Sequence, residues 1–137
     1  MPEDVVANIV PCLRYRDALA AIEWLERAFG FEKHLVVPGP DDGIAHAELR
    51  LGRGLIMLGS ARDDGFRWQP PQKGGPVTQS VYVVVEDADA HHAGSRAAGA
   101  EIVRELQDTD CGSREYSARD PEGHLWHFGT YRPGEAS

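Results

Sequence analysis

The segment DPEGHLWHFG, residues 120–129, joins a tight-turn sequence to a strand of alternating side chains. Successive side chains of a strand point to opposite faces, so Trp126 and Phe128 share one face and His127 lies on the other. We expect the two aromatic rings to pack beneath a helix. His127 is then a candidate catalytic or ligand-binding residue, or else a satisfied, partly buried histidine.

A helix pattern occurs twice upstream of this segment. YRDALAAIEWLERAFGFE carries Asp17 near its start and Gly30 near its end, and VEDADAHHAGSRAAGAE carries Asp87 and Gly99 in the same places. An N-terminal Asp, an amphipathic stretch and a C-terminal Gly are typical of a capped helix. The sequence therefore predicts one helix in each half of the chain.

Strands are predicted around each helix, one before it and three after it. They are NIVPCLRY, EKHLVVP, IAHAELRL and LIMLGS in the first half, and SVYVVVE, EIVREL, REYSAR and HLWHFGTY in the second. Glycines recur at one constant offset between the halves, which supports a duplication: Gly30, Gly43 and Gly54 match Gly99, Gly112 and Gly123. We predict an α+β fold class, with two βαβββ repeats forming paired curved sheets around a shared cleft.

The two halves are expected to form a single domain, residues 1–137. The internal halves span about residues 8–60 and 79–132. The linker 61–78 between them is rich in Pro, Gly and charged residues, and is predicted to be a linker or a lid rather than a core element.

Charge and composition exclude several classes of protein. The formal net charge of −8 argues against nucleic-acid binding, which requires a basic face, and is compatible with a cationic small-molecule ligand. No apolar run is long enough to span a membrane, and the first residues do not resemble a signal peptide. Cys12 and Cys111 match no metal or disulfide spacing. We therefore expect a cytoplasmic protein with reduced thiols and no membrane partner.

Strand alternation assigns a set of polar side chains to the cleft. This apolar floor with a few polar groups is typical of a small-molecule site. The predicted ligand-binding residues on strands are Arg14, His46, Glu48, Ser80, Tyr82, Glu115, Ser117 and His127. Exposed polar positions on half-buried strands would explain some of them equally well.

Residues outside this set are assigned in the same way. Ile56 and Leu58 are expected on the cleft face and Met57 in the core, whereas His91 and His92 are expected to face solvent. In the linker, Trp68 and Phe66 follow no strand or helix period. Trp68 is predicted to bind the ligand as a stacking lid, or to pack at a subunit contact.

The doubled pattern, together with three motifs, resembles the vicinal oxygen chelate superfamily, the glyoxalase, bleomycin-resistance and extradiol-dioxygenase group. The motifs are YRDALAAIEWLERAFGF, HAELRLGRGLIML and DPEGHLW, and the resemblance covers roughly residues 8–132. It implies the fold more strongly than the activity, because the fold hosts lyases, isomerases, dioxygenases, antibiotic-modifying transferases and metal-free drug-binding proteins.

Enzymes of this superfamily hold a divalent metal on the first and last strand of each half. The resemblance implies that the four ligand positions are Val10, Leu58, Ser80 and His127. One imidazole does not make a metal site, which needs three or four N, O or S ligands. We therefore predict no metal and no cofactor. The alternative is a displaced site formed by His46, Glu48 and Glu115.

The leading functional hypothesis is a protein that binds and sequesters a cationic or aromatic small molecule, as antibiotic-resistance members of the superfamily do. The alternative is an enzyme, either a metal-dependent lyase, isomerase or dioxygenase, or an acid–base enzyme acting through His127. A third possibility is a regulatory role for the cleft. A homodimer is expected, because a chain of this size gains buried surface on association and relatives commonly pair.

Overall fold

The computed structural model describes residues 7–135 of the chain. The first half contains β1 (Cys12–Tyr15), α1 (Ala18–Phe29), β2 (Glu32–Pro38), a 3-10 turn (Pro40–Asp42), β3 (Ile44–Leu51) and β4 (Gly54–Ser60). The second half contains β5 (Ser80–Val84), α2 (Ala88–Ala97), β6 (Glu101–Asp108), β7 (Arg114–Arg119) and β8 (Leu125–Gly129). The α+β class and the doubled βαβββ order are confirmed.

Two four-stranded sheets follow from this order. The strands run β1-β4-β3-β2 in one sheet and β5-β8-β7-β6 in the other. In each sheet the first and last strands of the half pair in parallel, and the remaining pairs are antiparallel. The chain divides into two compact units between Pro71 and Gln72, within the predicted linker. The single domain and the shared cleft stay predictions.

Both helices begin and end where the sequence predicts. The Asp17 carboxylate accepts a hydrogen bond from the Ala20 amide at 3.1 Å, and Asp87 caps α2 in the same way. Gly30 ends α1 with a φ of 87°, a left-handed conformation that favours glycine. These caps satisfy backbone groups that a helix end would otherwise leave unpaired.

The turn before β8 is held by a single buried carboxylate. Asp120 accepts hydrogen bonds from the amides of Glu122 and His124 at 3.0 and 3.1 Å through Oδ1. Its Oδ2 accepts from Nε1 of the fully buried Trp126 at 3.1 Å. Asp120 therefore connects the turn to the core, which explains why DPEGHLW is a structural motif.

The core of the second half lies on the predicted face, but β4 of the first half does not follow the prediction. Trp126 and Phe128 are fully buried, as expected. Ile56 and Leu58 are also buried. Met57 is half-buried, and it pairs with Cys12 and Glu48 on the face of the sheet that points away from the core. The expectation that Met57 is a core residue and its two neighbours face the cleft is therefore wrong.

The error comes from the matching of turn glycines. Gly54 is already the first residue of β4, whereas Gly123 precedes β8 by two residues. Met57 pairs with Cys12, which lies five residues before the capping Asp17. His127 pairs with Tyr82, which lies five residues before the capping Asp87. The counterpart of His127 is therefore Met57 rather than Leu58.

α2 is anchored to its sheet by a buried polar cluster. Tyr116 Oη lies 2.6 Å from Nδ1 of His91 and 2.6 Å from Oγ of Ser95, and the His91 ring packs 4.4 Å from the Phe128 ring. Burial raises the pKa of Tyr116 to about 12. The expectation that His91 faces solvent is wrong, because its ring contacts residues of β7 and β8. His92 is also largely covered, and it contacts Glu105 at 2.9 Å.

Candidate functional site

The first unit contains a pocket of about 180 Å³. Its walls come from β1, β3, β4 and the segment that follows β4. The residues that line it are Cys12, Arg14, Ala45, His46, Met57, Leu58, Gly59, Arg62 and Trp68. Three residues predicted from the sequence, Arg14, His46 and Trp68, therefore lie around one pocket.

Arg14 is the buried charge at this site, with only 2% of its surface exposed. Its Nη1 donates to the carbonyl oxygens of Arg62 and Trp68 at 3.0 and 3.1 Å, and its Nη2 forms a salt bridge with Asp64. The guanidinium also lies 4.1 Å from the centroid of the Trp68 ring. Because a buried arginine requires such partners, Arg14 holds residues 62–68 against the sheet.

Asp64 is the acidic partner in this arrangement. Its Oδ1 accepts from the Phe66 amide at 3.2 Å, and its Oδ2 lies 3.7 Å from Nε of Arg62. The hydrogen bond from Arg14 lowers the pKa of Asp64, more than partial burial raises it. Asp64 therefore remains ionised at neutral pH.

The segment held by Arg14 presents its two aromatic residues differently. Trp68 is 38% exposed, lines the pocket and has one ring face against the Arg14 guanidinium. Phe66 is 77% exposed and does not line the pocket. Trp68 is thus the aromatic residue of the linker that a bound molecule could reach from the pocket.

His46 and Glu48 form a pair on β3. They are two residues apart on the same face, and Nε2 of His46 lies 2.8 Å from Oε2 of Glu48. The carboxylate orients the imidazole, an arrangement that suits a hydrogen-bonding residue or a general base. His46 lines the pocket, and Glu48 supports it from outside the lining.

The second unit brings together the remaining predicted residues. Tyr82, His127 and Ser117 are direct neighbours across β5, β8 and β7, and Ser117 Oγ lies 2.6 Å from Nδ1 of His127. Ser80 is exposed at the start of β5. The His127 ring is therefore oriented by Ser117, as His46 is by Glu48.

Tyr82 and Glu115 meet above Gly129. A Cβ atom at Gly129 would lie 2.5 Å from Oη of Tyr82 and 2.9 Å from a carboxylate oxygen of Glu115, so the position leaves no room for a side chain. Tyr82 donates to the carbonyl of Tyr131 at 2.8 Å. Burial raises the pKa of Tyr82, and the Glu115 charge adds to this shift.

The predicted site residues therefore form two groups in two different units. Arg14, His46, Glu48 and Trp68 belong to the first, and Ser80, Tyr82, Glu115, Ser117 and His127 to the second. Their joint role in one cleft stays a prediction. Sequence reasoning missed Arg62 and Asp64. A buried arginine on an apolar face needs a carboxylate, and that requirement was the signal that could have pointed to the acidic residues of the linker.

The metal positions implied by the family do not fit a metal ion. The His127 ring is hydrogen-bonded to Ser117. Met57, which occupies the position of His127 in the first unit, offers only a weakly ligating thioether. Val10 has an aliphatic side chain, and Ser80 pairs with Leu125 rather than with His127. Within residues 7–135, no group of three or more His, Cys, Asp or Glu side chains is arranged to hold a metal. This includes the displaced set of His46, Glu48 and Glu115.

In the part of the chain that the structure describes, neither helix is long and apolar enough to cross a membrane.

Comparison with known proteins identifies relatives over almost the whole chain. The model of the Glyoxalase/Bleomycin resistance protein/Dioxygenase superfamily matches residues 6–128. Uncharacterized protein Rv0887c of Mycobacterium tuberculosis is 35% identical over 136 aligned residues, which cover 94% of this chain and 77% of the relative. These matches extend across both βαβββ units.

Two solved structures are also similar. TioX from Micromonospora sp. ML1 is 40% identical, with a TM-score of 0.74 over 92% of this chain and 99% of that one. The fosfomycin resistance protein FosX from Listeria monocytogenes has a TM-score of 0.69 over 94% of this chain and 96% of its own, at 11% identity. At that identity the likeness to FosX concerns the fold alone.

Proposed function

This chain belongs to the Glyoxalase/Bleomycin resistance protein/Dioxygenase superfamily, and we propose that it binds a small organic molecule through a planar aromatic ring in the pocket beside Trp68. The observation that carries the proposal is the anchoring of Trp68. Arg14 fixes the segment that bears the indole through two carbonyls, a salt bridge and a ring contact. A stacking residue held in place loses less entropy on binding than a free one does.

The size of the pocket supports a ring-sized group rather than a complete drug-sized molecule. A cavity of about 150 Å³ admits benzene, whereas pockets for drug-sized ligands measure about 300–1,000 Å³. At about 180 Å³, this pocket fits one ring system, and the remainder of a larger ligand would extend beyond it. Met57 supplies apolar contacts for such a ring.

Sequestration is the role we propose for this binding. It requires affinity alone, and the donor set at the family's metal positions does not suit metal-dependent chemistry. Protection against a toxic compound, as in the antibiotic-resistance members of the superfamily, is the biological use that we infer. The sequence predicted a cationic or aromatic ligand, and the lining of the pocket supports the aromatic part.

A second candidate function is a metal-free acid–base reaction. Two oriented imidazoles favour it, because His46 is held by Glu48 and His127 by Ser117. An enzymatic function would be supported if the wild-type protein converts a bound compound and the His46→Gln and His127→Gln variants each fail to do so. Binding without conversion would support sequestration.

The test uses tryptophol, a neutral indole alcohol, titrated into the protein and followed by ¹H–¹⁵N NMR. A probe of about twelve non-hydrogen atoms should bind with a Kd of roughly millimolar strength. Shifts should concentrate at Cys12, Met57 and Trp68. In Trp68→Ala the affinity should fall by about 1–3 kcal/mol, the cost of losing one stacked aromatic contact, while folding is retained.

Phe66→Ala is the matched control, since it removes an exposed aromatic residue from the same segment outside the pocket lining. It should leave the affinity for tryptophol unchanged. Absence of binding by the wild-type protein, or equal losses in the two variants, would refute the proposal.

A further inference from the structure

The pocket in the first unit has cationic side chains in its lining and no carboxylate among them. Arg14 and Arg62 line it, whereas Asp64 contacts both arginines from outside the lining. The charged side chains of the lining itself are therefore cationic, whereas the whole chain has a net charge of −8. A bound group experiences the nearby charges most strongly, because more distant exposed charges are screened by salt.

The two arginines differ in their capacity to bind a ligand. Arg14 is buried and its guanidinium is already shared among two carbonyls, Asp64 and the Trp68 ring. The side chain of Arg62 is 49% exposed. It donates from Nη1 to the Ser60 carbonyl at 3.3 Å, and its Nε lies 3.7 Å from Asp64. Among residues 7–135, the recorded polar contacts of the Arg62 side chain involve Nη1 and Nε, which leaves Nη2 available to a ligand.

Arg62 is also held over the floor of the pocket. A Cβ atom at Gly59 would lie 3.3 Å from Nη1 of Arg62, so the absence of a side chain on this part of β4 gives the guanidinium its room. Arg62 and Trp68 are thus two walls of the same pocket, one able to pair with an anion and the other with a ring.

We propose that the ligand is an aromatic acid whose ring packs against Trp68 and whose carboxylate, or other anionic group, pairs with Arg62. This inference rests on the proposed function and names the class of compound that the same pocket takes. Arg14 adds to the selectivity, because its guanidinium covers one face of the Trp68 ring and repels a cation placed at that ring. Cationic aromatic compounds are therefore disfavoured, despite the acidic chain.

The test compares three probes that share the indole ring and differ in charge: indole-3-acetate, tryptophol and tryptamine. Each is titrated into the protein at pH 7 and followed by NMR. Indole-3-acetate should bind roughly threefold to fivefold more tightly than tryptophol, the effect of a half-exposed ion pair, and tryptamine should bind most weakly.

Arg62→Gln should abolish the preference for indole-3-acetate, measured as the ratio of its affinity to that of tryptophol in the same variant. Arg67→Gln is the matched control, because it removes the same charge from the same segment at an exposed residue that does not line the pocket. It should retain the preference. Thermal unfolding of both variants checks that the fold is intact.

The two proposals fail in different ways. If tryptophol binds and depends on Trp68, but the three probes bind equally or tryptamine binds best, the aromatic-acid inference is overturned and the proposed function stands. Retention of the preference in Arg62→Gln also overturns the inference. If none of the three probes binds, both proposals are overturned.

Discussion

Replacement of Arg14 by methionine tests whether this residue anchors the segment 62–68. Methionine keeps most of the side-chain length and removes the charge and the hydrogen bonds. A lost charge-assisted hydrogen bond costs about 1.5–3 kcal/mol, and a lost cation–π contact costs about 0.5–1 kcal/mol. Breaking a fully buried ion pair would cost about 3–5 kcal/mol, but here Asp64 is partly exposed and the released segment can rehydrate. We expect a loss of about 2–3 kcal/mol in the free energy of unfolding.

Two measurements report this change. Urea denaturation should show the stability loss, and thermal unfolding should show a fall in Tm of roughly 10 °C for a chain of this length. Trypsin should also cleave faster after Arg62 and Arg67, because the segment is no longer held to the sheet. Arg104→Met, at an exposed position of β6, is the control and should change neither quantity.

The two readouts separate an anchoring role from a general role in the core. A variant that loses stability without faster cleavage of the segment would place the contribution of Arg14 in the sheet. Stability within about 0.5 kcal/mol of wild type, with unchanged cleavage, would refute the assignment altogether. In a double-mutant cycle, Arg14→Met and Asp64→Asn should be non-additive because the two side chains share one salt bridge.

Three further outcomes are expected. The free energy of unfolding should fall by up to about 2–3 kcal/mol as pH rises from about 10 to 12. The reason is that unfolded Tyr116 ionises near pH 10, whereas burial keeps the folded phenol protonated to about pH 12. In denaturation curves, Tyr116→Phe should not show this pH-dependent loss. Purified protein should hold no stoichiometric divalent metal by elemental analysis, and added Zn, Ni, Mn or Fe(II) should not raise the Tm of wild type or His127→Glu; one metal per chain that is lost in His127→Ala would contradict this. The protein should sediment as a homodimer at roughly tens of micromolar, since Leu35 and Val37 expose apolar surface on the edge strand β2, and a monomer would contradict this.

Local signals in the sequence were sufficient for most of the fold. The helix caps depend on residues three or four positions apart, so Asp17 and Asp87 marked the helix starts reliably. In β8, the alternation of Trp126, His127 and Phe128 determined which face is buried. These features involve neighbours in the chain, and the physical rules for them need no tertiary information.

The remaining features depend on contacts between distant residues. Residues 55–58 of β4 read LIML, in which every side chain is apolar, so alternation gives no sign of which face is buried. Its orientation is set by register, since Met57 pairs with Cys12 across β1 and with Glu48 across β3.

The contact that anchors the segment 62–68 also joins residues that are distant in the sequence. Arg14 and Asp64 are 50 positions apart, and no local pattern links them. The chemistry of a buried guanidinium nevertheless demands a carboxylate, and the linker offers Asp63 and Asp64 directly after the sheet. An arginine predicted on an otherwise apolar face therefore indicates that an acidic segment folds over it. In this protein that segment also supplies Arg62 and Trp68, the two side chains on which the proposed ligand binding depends.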